Sequence, residues 1–429
     1  MEVGDETMKT IYVSGYSVSG IKSFDQTMYL SFCKKTLDSK FDVSDYHIKG
    51  IYGPTGSGKS ALLTSVVILK NMLLHPSYLQ HSIIQSKFDS IIHKTKKELC
   101  MCVDFFTIDE ANRTSYRYEL VLGKDEQQQF SIKRECLYVK TARSFSIPMK
   151  KVFEHDCKQE FYLDASYDTD VVRRFLEVNK ERLKVSSLIA LSKEKTNKAC
   201  ASEALFQVVS SVFSLAMQTH VYVESLNYSF LCQEEKMQEE TQTFTRIKAN
   251  QNEVRKQDFT KFKHTIKQLQ AYLTLFKQDL KAIKIEKKED HGRYLCDLIM
   301  CYEDYEIHAD QESRGMRKLL SLYPYFKAVK QGGIVFIDDF DTYLHEVYGM
   351  ALLEYLLAQG KGQLCFTSNN VAYMDVLKQS KKSIDFINEK QELHSWITNG
   401  NYSPSKLYRA KAIEGTNFTI QQDDFKNVF

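Results

Sequence analysis

Gly53-Pro54-Thr55-Gly56-Ser57-Gly58-Lys59-Ser60 sets three glycines, a lysine and a hydroxyl at the spacing G-x-x-x-x-G-K-[ST]. A phosphate chain is cradled by backbone N–H groups that converge on it, and glycine permits the positive φ and close approach such a loop needs. Lys59 supplies a charge to the β and γ phosphates, and the Ser60 hydroxyl is placed to hold Mg²⁺. The flanks agree. Residues 47–52 read as a short strand entering the loop and residues 61–69, beginning at Ala61, as an apolar helix leaving it, so the phosphates would meet a helix N-terminus.

A second constellation lies late in the chain. Ile334-Val335-Phe336-Ile337-Asp338-Asp339 is an apolar run ending in two carboxylates, introduced by Gly332-Gly333. A buried parallel strand delivers an acid to its C-terminal edge in this way, where nucleotides bind in doubly wound sheets. Asp338 is expected to hold Mg²⁺ through water, and Asp339 to orient or deprotonate the attacking water. Alone, the same residues would be an ordinary strand end with a solvated turn. Some twenty residues earlier, Glu312-Ser313-Arg314-Gly315-Met316 opens an apolar helix that Ser313 can cap. After the carboxylates come an expected amphipathic helix (Met350, Leu352, Leu353, Tyr355, Leu356, Leu357) and a second buried strand, residues 363–370, whose polar end at Asn369 would reach the γ-phosphate.

The elements that must position these groups follow from periodicity. Residues 9–33 alternate as a first hairpin, and three more alternating runs between 99 and 140, with turns expected at Asn112-Arg113 and Gly123-Lys124-Asp125, read as an antiparallel sheet. Helical spacing begins at Val171, Phe175, Leu176 and Val178, then at Leu205, Val208, Val209, Val212, Leu215 and Ala216. Phe259, Phe262, Ile266, Leu269, Leu273 and Phe276 mark a further helix, read as a bundle helix, and the polar stretch 233–256 reads as an exposed helix or mobile tip. The expected division is an N-terminal lobe over 1–165, a helical insertion over 166–276 and a C-terminal lobe over 277–429.

Composition narrows the class. With 429 residues, 43% of them apolar, the chain can bury a large core, and no run approaches the ~20 apolar residues that span a bilayer. The acidic start, Met1 to Glu6, is unlike a signal peptide, so a cytoplasmic protein is expected. Ten scattered cysteines offer no zinc spacing and read as reduced thiols. A net charge of +3 neither demands nor excludes nucleic acid.

Taken in order, the P-loop, Glu-Ser-Arg-Gly-Met, Ile-Asp-Asp, Leu-His and Thr-Ser-Asn-Asn resemble the heads of ABC-type ATPases of the SMC, RecF and OLD group. They look most like the compact bacterial ATPases with an E-S-x-G-x-x-[RK]-L-L signature found in phage-defence operons, such as the AriA-type subunits of PARIS. The resemblance implies an α/β fold: an ABC-type head, a mixed sheet with helices and an antiparallel β-subdomain, carrying the helical insertion. It implies ATP and Mg²⁺ as cofactors, with Gly53 to Ala61 as the nucleotide loop. It also implies a head-to-head dimer in which Ser313 and Gly315 contact the γ-phosphate on the other copy, His345 occupies the D-loop position and Asn369 the switch position. Asp339 stands where the family usually has Glu, and Asn369 where many members have His. Asn can hydrogen-bond but not take the proton, and both departures imply slow hydrolysis. No Q-loop glutamine is assigned, Gln80 and Gln85 being the candidates. The stretch after Asn369 is too short for the TOPRIM nuclease domain of OLD proteins, so a nuclease would be a separate polypeptide.

Two functions follow. One is an ATPase sensor or scaffold whose ATP-driven dimerisation controls a separate effector, a nuclease, in anti-phage defence. The other is a RecF-type DNA-repair ATPase that clamps DNA directly. A P-loop kinase would share the first motif but leave the Ser313 helix and the carboxylate strand unexplained.

Overall fold

A computed structural model describes residues 10–33, 42–109, 112–141, 148–157, 161–167, 170, 172–174, 184–189, 203–223, 246–397 and 402–413. Three sheets organise them. The first is antiparallel and seven-stranded, in the order β2-β1-β4-β5-β6-β7-β8. Its strands are β1 (Thr10–Ser19), β2 (Met28–Ser31), β4 (Glu98–Asp109), β5 (Asn112–Lys124), β6 (Phe130–Thr141), β7 (Lys150–Asp156) and β8 (Tyr162–Leu163). Alternation specifies it: on β5, Tyr116, Tyr118, Leu120 and Leu122 are buried while Arg117 is exposed. The expected turns move slightly. Asn112 and Arg113 already pair with Asp109 and Ile108, and Gly123 and Lys124 pair with Ser131 and Phe130, so the second turn begins at Asp125. There Asp125 Oδ1 accepts from the N–H groups of Gln127 and Gln129, each at 2.9 Å, which is turn chemistry Gly123 does not supply.

The central sheet has six strands in the order β17-β16-β3-β15-β14-β9. These are β3 (Ile48–Tyr52), β9 (Thr219–Tyr222), β14 (Ile334–Ile337), β15 (Gln363–Ser368), β16 (Ile384–Ile387) and β17 (Leu393–Ser395). All neighbouring pairs are parallel except β16 with β17. Both faces are covered, which is why β14 is apolar at every position. Ile334 and Phe336 join a core shared with helix α1 (Lys59–Leu74), helix α2 (Glu203–Gln218) and the seven-stranded sheet. Val335 and Ile337 join a second core with the helices Arg314–Lys330 and Glu346–Gln359. β9 corrects the expectation of a purely helical segment over 166–276. Thr219-His220-Val221-Tyr222 follows α2 directly and is too short to show its own period, but its β-branched and aromatic residues fit the sheet beside β14.

A four-stranded antiparallel sheet lies on the second core, built from β10 (Asn252–Arg255), β11 (Ala282–Asp290), β12 (Arg293–Cys301) and β13 (Glu306–His308). β10 falls within the polar stretch read as a helix or tip, and the acidic part of that stretch, around Glu234 to Glu240, lies outside the described residues, as do Val171, Phe175, Leu176 and Val178. The Phe259–Thr274 helix buries Phe262, Ile266, Leu269 and Leu273 and so packs as its spacing predicts, against this sheet and the Arg314–Lys330 helix, with Phe276 just beyond its end. One amide joins the first sheet to the centre: Gln363 on β15 accepts from Val13 N at 2.7 Å and donates to Val13 O at 2.9 Å, next to the bulge between Val13 and Gly15 on β1.

The described cysteines are free thiols. Among the described residues, no helix is long and apolar enough to cross a membrane.

Candidate functional site

The chemistry-bearing loops leave one edge of the central sheet. β15 lies between β3 and β14, with Ser368 opposite Tyr52 and Phe366 opposite Ile337. The segments beginning at Gly53, Asp338 and Asn369 therefore emerge side by side from the carboxyl ends of parallel strands, where open α/β sheets bind ligands.

The Gly53–Ser60 loop has the geometry its glycines allow. Gly56 and Gly58 have φ of 85° and 101°, and Gly58 is the N-cap of α1. A Cβ on Gly58 would run into the Phe24 ring, and one on Gly53 into the Ile387 carbonyl. Lys59 is 7% exposed, and its ammonium donates to Gly53 O at 2.7 Å and Pro54 O at 3.1 Å. Ser57 Oγ is buried with no hydrogen-bond partner. The N–H groups of Gly56, Gly58, Lys59 and Ser60 pair with no described carbonyl. A loop with a buried ammonium, an orphan hydroxyl and uncommitted N–H groups at a helix N-terminus fits a phosphate chain.

The carboxylates stand opposite. Asp338 is buried, and its Oδ1 accepts from Thr367 Oγ1 at 2.6 Å, while that hydroxyl accepts from Asp339 N at 2.8 Å. Asp339 is half-buried with φ of 46°, a conformation that costs a non-glycine residue roughly 1–2 kcal/mol. Burial, then Asp338 and Asp341, raise its pKa, against the pull of Lys59 and Lys318. Burial lowers the pKa of Lys59, and Asp339, Asp338 and Asp341 oppose it. Loop and carboxylates thus lie within each other's field. Among the described residues no three or more His, Cys, Asp or Glu gather as metal ligands.

Ser313 caps the Arg314–Lys330 helix, its Oγ accepting from Met316 N at 3.3 Å. Glu312 is buried and accepts from the Tyr302 hydroxyl and from Ser313 N. Gly315 lies against the loop after β14: a Cβ there would sit 2.8 Å from Tyr343 O. Ser313 is exposed, and no hydrogen bond or ion pair joins Ser313 or Gly315 to residues 53–60 of the same chain. His345 is exposed and caps the Glu346–Gln359 helix, with Nδ1 accepting from Val347 N at 3.4 Å. That helix is not amphipathic as expected. Leu353 and Leu356 are buried, but Val347, Tyr348 and Tyr355 are 60%, 40% and 46% exposed, because its apolar residues run right round the cylinder. Asn369 is exposed, and its N–H donates to Asp341 Oδ1 at 3.2 Å.

Sequence reasoning missed three groups. Thr367 links the Asp338 carboxylate to the backbone N–H of Asp339, Asp341 ties the Asn369 segment to the carboxylate loop, and Lys318 donates to Asp339 O at 3.1 Å. Lys318 fills the [RK] position of the Glu312-to-Leu320 pattern, which was its one visible signal. Gln85 is engaged elsewhere: its amide donates to Leu79 O and Phe130 O and accepts from Phe130 N. Gln80 is exposed.

Neither protein-family profiles nor curated proteins give a match to this chain. Among solved structures, a crystal structure of an SMC head bound to the C-terminal winged-helix domain of ScpA is similar at 12% identity with a TM-score of 0.43, over 90% of this chain and 98% of that one.

Proposed function

We propose that the chain binds ATP with Mg²⁺ and hydrolyses it slowly, as half of a site completed by a second copy. The carrying observation is the convergence of Gly53–Ser60, Asp338 and Asp339 on one edge of a parallel sheet, with Lys59 in the field of the carboxylates. ATP supplies the phosphoanhydride and Mg²⁺ the charge that screens it. In this reading Gly53 to Ala61 wrap the phosphates, Lys59 turns from the Gly53 and Pro54 carbonyls towards them, and Ser60 and Asp338 hold the cation. Asp339 orients or deprotonates the water and Asn369 hydrogen-bonds at the γ-phosphate. Ser313, which is exposed, and Gly315, packed against the Tyr343 carbonyl, make no hydrogen bond to their own loop and in this reading face the nucleotide of the second copy, with His345 at the D-loop position. Asp339→Asn is expected to keep MgATP binding within about threefold, cut turnover about 100-fold and accumulate an ATP-dependent dimer in light scattering. Unchanged turnover would remove Asp339 from the catalytic role.

Two outputs remain for such a cycle. Control of a separate effector, a nuclease in anti-phage defence, rests on the motif resemblance. Direct clamping of DNA is favoured by one observation: between Asp258 and Asp279 the chain has no acidic residue, and the helix Phe259–Thr274 exposes Lys261, Lys263, His264 and Lys267. Those charges suit a phosphate backbone. Duplex affinity that falls steeply with salt, and falls again in Lys261→Glu/Lys263→Glu/Lys267→Glu, is expected for the clamp; salt-independent or absent binding returns the output to a protein effector.

A further inference from the structure

Lys318 is 2% exposed, in a helix whose other buried positions nearby, Leu319, Leu320 and Leu322, are apolar. Its ammonium donates to Asp339 O at 3.1 Å and lies 4.5 Å from the centre of the Tyr222 ring. Two turns along the same helix, Tyr325 packs edge-on against Tyr222 at 5.4 Å and donates its hydroxyl to Val221 O at 3.3 Å. The helix is therefore pinned to the end of β9, and Lys318 reaches from it across to the carboxylate loop. On the other side of the Asp339 backbone, Asp339 N is held by Thr367 Oγ1 at 2.8 Å. Both peptide groups of a residue in the left-handed region, φ 46°, are thus fixed by side chains from separate elements. A leucine at 318 would fill the same space and leave the Asp339 carbonyl with only the Thr342 N–H, at 3.2 Å within its own turn, and no tie to the helix.

We propose that Lys318 is a positioning residue for Asp339: its hydrogen bond to the Asp339 carbonyl locks the left-handed backbone that aims the carboxylate. The same bond ties that backbone to the helix capped by Ser313. The inference deepens the ATPase reading and rests on it for its catalytic consequence. Displacement of the Arg314–Lys330 helix is transmitted to the Asp339 backbone through the Lys318 hydrogen bond, alongside the Phe326–Phe340 and Arg314–Tyr343 contacts to the same loop, so whatever docks at the Ser313 end acts on the carboxylate without touching it.

The test compares wild type, Lys318→Met and Lys318→Arg by hydrogen-exchange mass spectrometry of the peptide spanning 338–344, MgATP binding and turnover. Lys318→Met is expected to exchange about tenfold faster in that peptide, to lose about tenfold or more in kcat and to bind MgATP within about twofold of wild type. Lys318→Arg, which keeps a donor, recovers protection and most of kcat. In an Asp339→Asn background Lys318→Met adds no further loss. Unchanged exchange in Lys318→Met, an Arg variant no better than Met, or an equal loss of kcat in the Asp339→Asn background would each overturn the proposal. Thermal unfolding checks that the variants fold, and Lys318→Gln replaces the Met variant if that one does not. If wild type shows no turnover yet the exchange response appears, the ATPase reading fails and the anchoring of Asp339 stands; turnover with an insensitive peptide gives the reverse.

Discussion

Lys59→Met is expected to raise the Kd for MgATP at least about 100-fold in isothermal titration calorimetry. The ammonium is buried beside the loop, where it donates to Gly53 O and Pro54 O, so it needs only to exchange these carbonyls for a phosphate oxygen and its stem has little rotamer freedom left to lose. A hydrogen bond to a charged group contributes about 1.5–3 kcal/mol, and the upper part of that range is roughly two decades in Kd. Methionine keeps the unbranched stem, and removing a buried cation also removes its desolvation cost, so the fold should survive; a thermal midpoint near that of wild type separates lost binding from lost structure. Tight MgATP binding by a folded Lys59→Met protein would remove this loop as the nucleotide site.

The largest effect on stability is expected from Lys49→Met. Lys49 on β3 and Asp385 on β16 are 1% and 0% exposed and paired at 2.7 Å, and the Lys49 ammonium also donates to Lys382 O. Asp385 Oδ1 has no hydrogen-bond partner, so the carboxylate leans heavily on this lysine. Truncating one partner leaves a buried charge uncompensated, at a cost of about 3–5 kcal/mol. Urea unfolding should show the midpoint falling with an unchanged slope. Lys49→Met with Asp385→Leu should recover most of the loss, since an apolar pair carries no desolvation penalty. A Lys49→Met midpoint equal to that of wild type would mean that water or another group satisfies Asp385.

Much of the candidate site's local geometry was legible because it rests on residue types in short contiguous runs. Gly56 and Gly58 need φ values few other residues adopt, and Ile334 to Ile337 need to be apolar on both faces because both faces are covered. What escaped depends on partners far along the chain. The Thr219–Tyr222 strand is recognisable only beside β14, and the Lys49–Asp385 pair exists only because β16 aligns with β3. The role of Lys318 depends on its depth and on its bond to Asp339, neither of which local sequence encodes. The Glu346–Gln359 helix was misread because apolar residues at helical spacing indicate a buried stripe only when the opposite side is polar, and here Val347, Tyr348 and Tyr355 occupy that side.

The strand order also sets a timetable. β3, which carries the Gly53–Ser60 loop, has β15 and β16 as its two neighbours, and Val13 is clamped by Gln363 across a separation of 350 residues. At ribosomal speeds of roughly 5–20 residues per second, the loop's strand waits on the order of tens of seconds for the segments that flank it. During that interval Ile48, Ile51 and Tyr52 have no sheet to enter, and the loop lacks the two neighbouring strands that position it. The nascent chain is therefore expected to need shielding by a chaperone until residues 363–387 have been made.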